Sequence, residues 1–159
     1  MENKVDSRFV VKGRSKVVNG SVLNPENAGL RVIVNFVGLD GSFNAALDKA
    51  LTNKWLNVRK ANYEWYSNQF QFKAGNINTT AVASDVFVCN VLARGKDGKI
   101  DPKALTIGIK KLADYAKYEK ASVHVSSLLT DEVPELAAML TASLVEAGVN
   151  VYYYQDTAK

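Results

Sequence analysis

The chain has 159 residues, 47% of them hydrophobic and 23% charged, and a formal net charge of +4. This is the size and balance of one folded domain able to bury a sizeable core, and it excludes a disordered or fibrous chain. The mild positive excess permits an anionic partner without demanding one.

In chain order, 7–13 (SRFVVKG) and 16–22 (KVVNGSV) are short β-prone runs split by glycine. The run 31–37 (RVIVNFV) is almost wholly apolar and β-branched, as a strand buried on both faces should be. Phe43, Ala46, Leu47, Ala50 and Leu51 follow at the spacing of a core-facing helix, with Ser42 placed as its N-cap. Trp55, Val58, Ala61 and Trp65 continue that spacing, which predicts a second helix or a bent continuation of the first. Residues 75–84 and 85–93 read as two adjacent strands. Asp101-Pro102 is an N-cap and first-turn pair, and Leu105, Ile109, Leu112 and Ala116 lie on one face of the helix it opens. Residues 121–127 predict a strand. Val133, Leu136, Ala137, Leu140 and Leu144 mark a further helix ending near Gly148, and VNVYYYQ predicts a closing strand. Strands alternating with helices give an α/β layer fold, with helices on both sheet faces, in one domain spanning 1–159.

Cys89 is the only cysteine and lies in an apolar run, so no intrachain disulfide forms and a reducing compartment is expected. His124 is the only histidine and sits in another strand-like run, with no second ligand near it to suggest a metal. No cofactor is implied. There is no apolar stretch of about 18 residues and no charged-then-apolar leader, so a cytoplasmic protein with no membrane contact is expected.

Ligands of such sheets bind at the carboxyl ends of the strands, which singles out the turns 38–42, 94–98 and 126–131. In GLDGS, Gly38 and Gly41 allow close backbone approach, and a helix starting at Ser42 would offer N–H groups and a positive dipole end to phosphate. The pattern matches neither a Walker A loop nor G-x-G-x-x-G, and a plain strand–helix turn would read the same. Asp40 suits a hydroxyl or a water better than a phosphate. In SSLLTDEV, hydroxyls precede Asp131 and Glu132, two carboxylates expected to complement a helix dipole. In YYYQD, alternation sends Tyr152 and Tyr154 to one sheet face and Tyr153 to the other. Lysines and arginines gather near the start (Lys4, Arg8, Lys12, Arg14, Lys16) and again at Lys96, Lys99, Lys103, Lys110 and Lys111.

These segments, taken together, resemble a macro domain, the ADP-ribose-binding α/β/α module. VVNGSV resembles its opening strand and turn, VIVNFVGLDGSFNAALDKAL its first ligand loop, KANYEWYSNQFQFKAGNINTTAVASDVFVCNVLARG its aromatic-rich helix end and following strands, LADYAKYEKASVHV the helix and strand before the second ligand loop, and EAGVNVYYYQ the last helix end and strand. The likeness spans nearly all of 15–155 and implies a three-layer α/β/α macro-like fold with a mixed central sheet. It implies a nucleotide site in which Ser21 and Val22 stand at the adenine end, Asn35 holds the distal ribose, and Gly38, Gly41 and Ser42 meet phosphate. Ser126, Ser127 and Leu128 form the second loop, and Tyr154 packs beside the base. Asp40 is the candidate general base. The chain also departs from the family. Ser21 replaces the usual adenine-contacting aspartate, and SSLLTDEV has no glycine where a G-x-G-containing loop wraps the diphosphate.

Two functions follow from the resemblance. One is binding of ADP-ribose or a related nucleotide, with or without an ADP-ribosyl hydrolase or phosphatase-type activity. The other is a degenerate macro-like scaffold whose basic segments and tyrosines bind RNA, single-stranded DNA or a protein partner, or which serves a structural role.

Overall fold

The computed structural model describes residues 11–155, so the predicted run at 7–13 lies largely outside the described residues. Six strands run β1 (Ser15–Val18), β2 (Arg31–Gly38), β3 (Ile77–Ala83), β4 (Val86–Arg94), β5 (Ser122–Ser126) and β6 (Val151–Tyr154). Five helices run α1 (Ala46–Lys54), α2 (Leu56–Asn68), α3 (Pro102–Glu119), α4 (Ser127–Glu132) and α5 (Leu136–Ser143), and a 3-10 turn, Val145–Ala147, precedes β6. The strands form one sheet in the order β1-β6-β5-β2-β4-β3, parallel throughout except for the antiparallel edge pair β3–β4. No helix among the described residues is long and apolar enough to cross a membrane.

Register fixes what each sheet face carries. Asn35 pairs with Asn90, Ile33 with His124, and His124 with Tyr152, so these residues share one face with Tyr154. On that face lie α1 and α2, whose Leu47, Leu51, Val58 and Trp65 are buried, together with the long connection 19–30. Cys89, Val91 and Tyr153 point to the other face, under α3 and α5. There α3 comes unusually near β4. A Cβ at Gly108 would stand 2.3 Å from Val91 Cγ1, so only glycine admits the approach. The Tyr153 hydroxyl reaches Ala137 O of α5 at 3.5 Å. The result is the expected three-layer α/β/α arrangement around a mixed sheet, with Tyr152 and Tyr154 opposite Tyr153.

Local starts and stops depart from the periodicity in two places and decide an alternative it left open in a third. Helix α1 begins at Ala46, not at Ser42. Asp40 Oδ1 accepts both the Ser42 N–H (3.1 Å) and the Ser42 hydroxyl (2.9 Å), which ties Ser42 into the turn. The carboxylate that serves the helix start is Asp48, whose Oδ2 accepts the Ala45 N–H at 3.0 Å. Trp55 adopts an extended conformation (φ −137°, ψ 95°), so α1 and α2 are two helices rather than one bent one. Finally, SSLLTDE is itself helical. Ser126 caps α4 by accepting the Leu128 N–H at 3.1 Å, while the helix predicted from Val133 starts only at Leu136. Asp101 does cap α3 as expected, accepting from Lys103 N–H at 3.1 Å and, more loosely, from Ala104 N–H at 3.5 Å.

Candidate functional site

The carboxyl ends of β2 and β4 open into a crevice of about 310 Å³, closed on one side by the start of α1 and on another by the end of α4. Its walls include Gly38, Ser42, Asn44, Asp48, Arg94 and Glu132. Small-molecule sites run from roughly 300 to 1,000 Å³, so this one is at the small end.

Arg94, the last residue of β4, dominates the crevice electrostatically. Both its terminal nitrogens pair with the Glu132 carboxylate, Nη2 to Oε1 at 2.8 Å and Nη1 to Oε2. Its Nε also donates to Phe36 O (3.4 Å) and its Nη1 to Gly98 O (3.3 Å). The guanidinium therefore joins β2, the 95–98 turn and α4. With the Arg94 side chain 14% exposed and that of Glu132 37%, the pair is shielded on one side and open to solvent on the other. Asp131 and Glu132 do not complement a helix start as expected. They end α4, and Glu132 serves Arg94 instead.

Beneath the crevice lies a buried polar ladder. Asn35 donates one amide hydrogen to Asp48 Oδ1 (2.8 Å) and one to Asn90 Oδ1 (3.0 Å). Burial raises the Asp48 carboxyl above the usual range, partly offset by the Asn35 and Ala45 hydrogen bonds and by the charges of Arg94 and Arg59. Asn35 is thus buried below the crevice, with both amide hydrogens donated within the ladder.

Around that frame the remaining predicted residues fall into three groups. Gly38 and Ser42 line the crevice. Gly41 adopts φ +78° with its Cα against the Tyr66 ring, where a Cβ would lie 2.5 Å from Cγ. Asp40 is exposed, holding Ser42. Ser126 ends β5 and caps α4, and Ser127 and the half-buried Leu128 open that helix, with Leu129 buried behind them.

Ser21, Val22 and Tyr154 belong to another centre. The Tyr154 hydroxyl accepts the Glu26 N–H at 2.7 Å and meets His124 Nδ1 at 2.8 Å, while His124 Nε2 meets Ser122 Oγ at 2.8 Å. For a neutral ring one order satisfies every contact: Glu26 N–H to Tyr154, Tyr154 O–H to Nδ1, and Nε2–H to Ser122, whose own hydroxyl reaches Leu30 O at 3.5 Å. Burial, with Arg31 adding its charge, lowers His124 to about 3, and burial raises Tyr154 to about 12. This chain fastens the 19–30 connection to the sheet, aided by Arg31 Nη1 on Pro25 O (2.9 Å) and Lys54 Nζ on Leu23 O (2.8 Å). Tyr154 is 1% exposed, so it does not present a ring to a base; Tyr152, half-buried and stacked on His124 at 4.7 Å, is the more open aromatic. Cys89 is fully buried, and its thiol is raised to about 12 by burial, which leaves it inert. Among the described residues no group of three or more His, Cys, Asp or Glu is placed to hold a metal.

Asp48, Arg94 and Asn44 were not singled out from the sequence, and Glu132 was read there only as complementing a helix dipole. Two signals pointed to them. Arg94 is a charge ending a nine-residue apolar strand, and Asp48 follows directly on the buried Leu47 at the third position of α1.

Comparison of the sequence with protein-family models and with curated proteins finds no match. Solved structures do match. A macrodomain protein from Streptomyces coelicolor superposes with a TM-score of 0.84 at 19% identity, covering 90% of this chain and 99% of that one. The macrodomain of Thermus aquaticus DarG gives 0.72 at 18% identity, covering 91% and 99%. Thermosipho africanus DarTG, solved in complex with ADP-ribose, gives 0.65 at 14% identity, covering 82% of this chain and 39% of that one. The fold of this chain is that of the macrodomains.

Proposed function

We propose that this chain binds ADP-ribose, or a nucleotide carrying the same diphosphate, in the crevice between the 38–42 turn and α4, and that it binds without hydrolysing. The observation that carries this is Arg94, a guanidinium held at the carboxyl ends of the central strands beside a glycine-containing turn. The ligand seen with the Thermosipho africanus neighbour supports the choice of ADP-ribose. In this proposal the diphosphate meets Arg94 and the Gly41–Ser42 backbone. Asn35 acts at one remove, by holding Asp48. Tyr154 supports the connection that carries Ser21 and Val22 rather than stacking on the base. Hydrolysis is disfavoured because both carboxylate oxygens of Asp48 are engaged, by Asn35 and Ala45, while Asp40 is exposed outside the crevice lining with its Oδ1 held by Ser42.

Calorimetric titration with ADP-ribose tests the binding. Saturable heat is expected for the unaltered chain, weakened about tenfold or more in Arg94→Gln, the cost of losing a charge-assisted contact of about 1.5–3 kcal/mol. No heat at millimolar ligand, or equal affinity in Arg94→Gln, overturns it. Release of ADP-ribose from an ADP-ribosylated protein, abolished by Asp40→Asn, would overturn the non-hydrolytic part.

A further inference from the structure

We propose that the groove between α3 and α5, on the sheet face away from the crevice, docks an acidic amphipathic helix of a partner protein. The groove encloses about 830 Å³. Its floor is apolar and mostly small, with Ile107, Ala113 and Ala142, and its rim carries Lys110, Lys111 and Lys117 against a single acid, Asp114. Ile107 is 48% exposed although its inner edge packs on Gly75. Among the described residues, none of the three rim lysines is in an ion pair, whereas Lys12, Lys16, Arg31 and Arg94 each have a carboxylate partner. Among the described residues the basic rim therefore has no ion-pair partner.

Helix α5 completes the surface. It turns Ala137, Ala138, Thr141 and Ala142 to solvent, so nothing bulky keeps another backbone from a close approach. From Thr106 to Lys117 the groove follows about 16 Å of α3, roughly three helical turns. That length fits a partner helix with apolar anchors at i, i+3, i+4 and i+7, flanked by carboxylates that reach the lysines. A nucleic acid suits the groove less well, because no aromatic side chain lines it to stack on bases. A second copy of this chain would set lysine against lysine.

The test is an NMR titration of the full chain with a synthetic helical peptide of about fourteen residues, leucine at the four anchor positions and glutamate beside them. Oligothymidylate and a peptide with the leucines replaced by alanine are the comparison probes. Saturable shifts confined to α3 and α5 are expected. Lys110→Glu with Lys111→Glu should weaken binding roughly tenfold, and so should Ala142→Glu, which puts a carboxylate on the floor. All three positions are exposed, so the fold should persist, as circular dichroism would verify. Shifts elsewhere, no shifts, or affinity indifferent to these variants refutes the site. Equal or tighter binding of the leucine-free peptide or of oligothymidylate to the same residues refutes the helix as occupant.

Discussion

Glu132→Gln should tighten the binding of ADP-ribose while lowering the stability of the chain. A phosphate approaching Arg94 meets a guanidinium whose two terminal nitrogens already face the Glu132 carboxylate, so the ligand must displace or share that partner. The pair is half-shielded, between the exposed ion pairs that contribute up to about 1 kcal/mol and the buried ones whose rupture costs about 3–5. Gln keeps the shape and one hydrogen bond but removes the opposing charge. A stability loss of about 1 kcal/mol follows, or roughly 3 °C in Tm for a domain of this size. The ligand no longer pays the same term, which corresponds to about a fivefold lower Kd. Calorimetry with ADP-ribose and thermal unfolding, run on the same preparations, give both numbers. If Glu132→Gln lowers Tm but leaves Kd unchanged, while the unaltered chain binds, the ligand does not use Arg94 and its placement here is wrong.

Three further outcomes concern the buried frame. Tyr154→Phe leaves the Glu26 N–H and His124 Nδ1 without their partner, so urea unfolding should show a loss of about 2 kcal/mol; a loss below about 0.5 would mean the chain of hydrogen bonds does not hold the 19–30 connection. His124 stays neutral in the fold down to about pH 3, but in the unfolded chain it takes a proton below about 6.5. Stability should therefore be full above that pH and fall as pH drops, by about 2 kcal/mol between pH ~6.5 and ~5. His124→Gln should remove this part of the slope, whatever it does to stability at neutral pH, and an unaltered slope would count against a buried neutral imidazole. Gly41→Ala should cost about 1–2 kcal/mol, because φ is +78° and the new Cβ meets the Tyr66 ring; adding Tyr66→Ala should recover the steric part only, and full recovery would show that the backbone there is not strained.

The layers of the fold were legible because each is written in side-chain period. The apolar run before Gly38, the i, i+4 stripe through Leu47 and Leu51, and the Asp101-Pro102 start each report a local preference that packing then uses. The first turn was legible for the same reason, since Gly38 and Gly41 stand between a buried strand and a helix. The second wall was not. SSLLTDEV was read as an altered loop that gives way to a helix, but Ser126 caps a helix immediately and six residues suffice to form one. Isolated helices that short are marginal in water, so the sequence period alone carries no signal for them. Besides its Ser126 cap and the buried Leu129, α4 has a contact 38 residues distant, Glu132 on Arg94, and such pairings leave no local trace. The partners of Asn35 were hidden in a related way. An asparagine in a strand next to a glycine turn suits a ribose contact, and register sets it opposite Asn90 and beneath Asp48, where its donors are consumed.

The Arg94–Glu132 pair explains why loss of the glycine loop need not have emptied the crevice. A loop that wraps a diphosphate through backbone N–H groups needs glycines at positive φ. Leucines at 128 and 129 cannot supply that conformation cheaply, but they make good helix and bury Leu129 in the core. A short helix needs an anchor at its far end, and Arg94 provides it by giving its guanidinium to Glu132. The same contact neutralises Arg94, the one cation among the described residues that line the crevice. Stability of α4 and affinity for an anion therefore draw on a single side chain, and they must trade against each other in any variant that alters it. In the proposed function Arg94 thus replaces by charge part of what the missing glycine loop would have supplied by backbone donors.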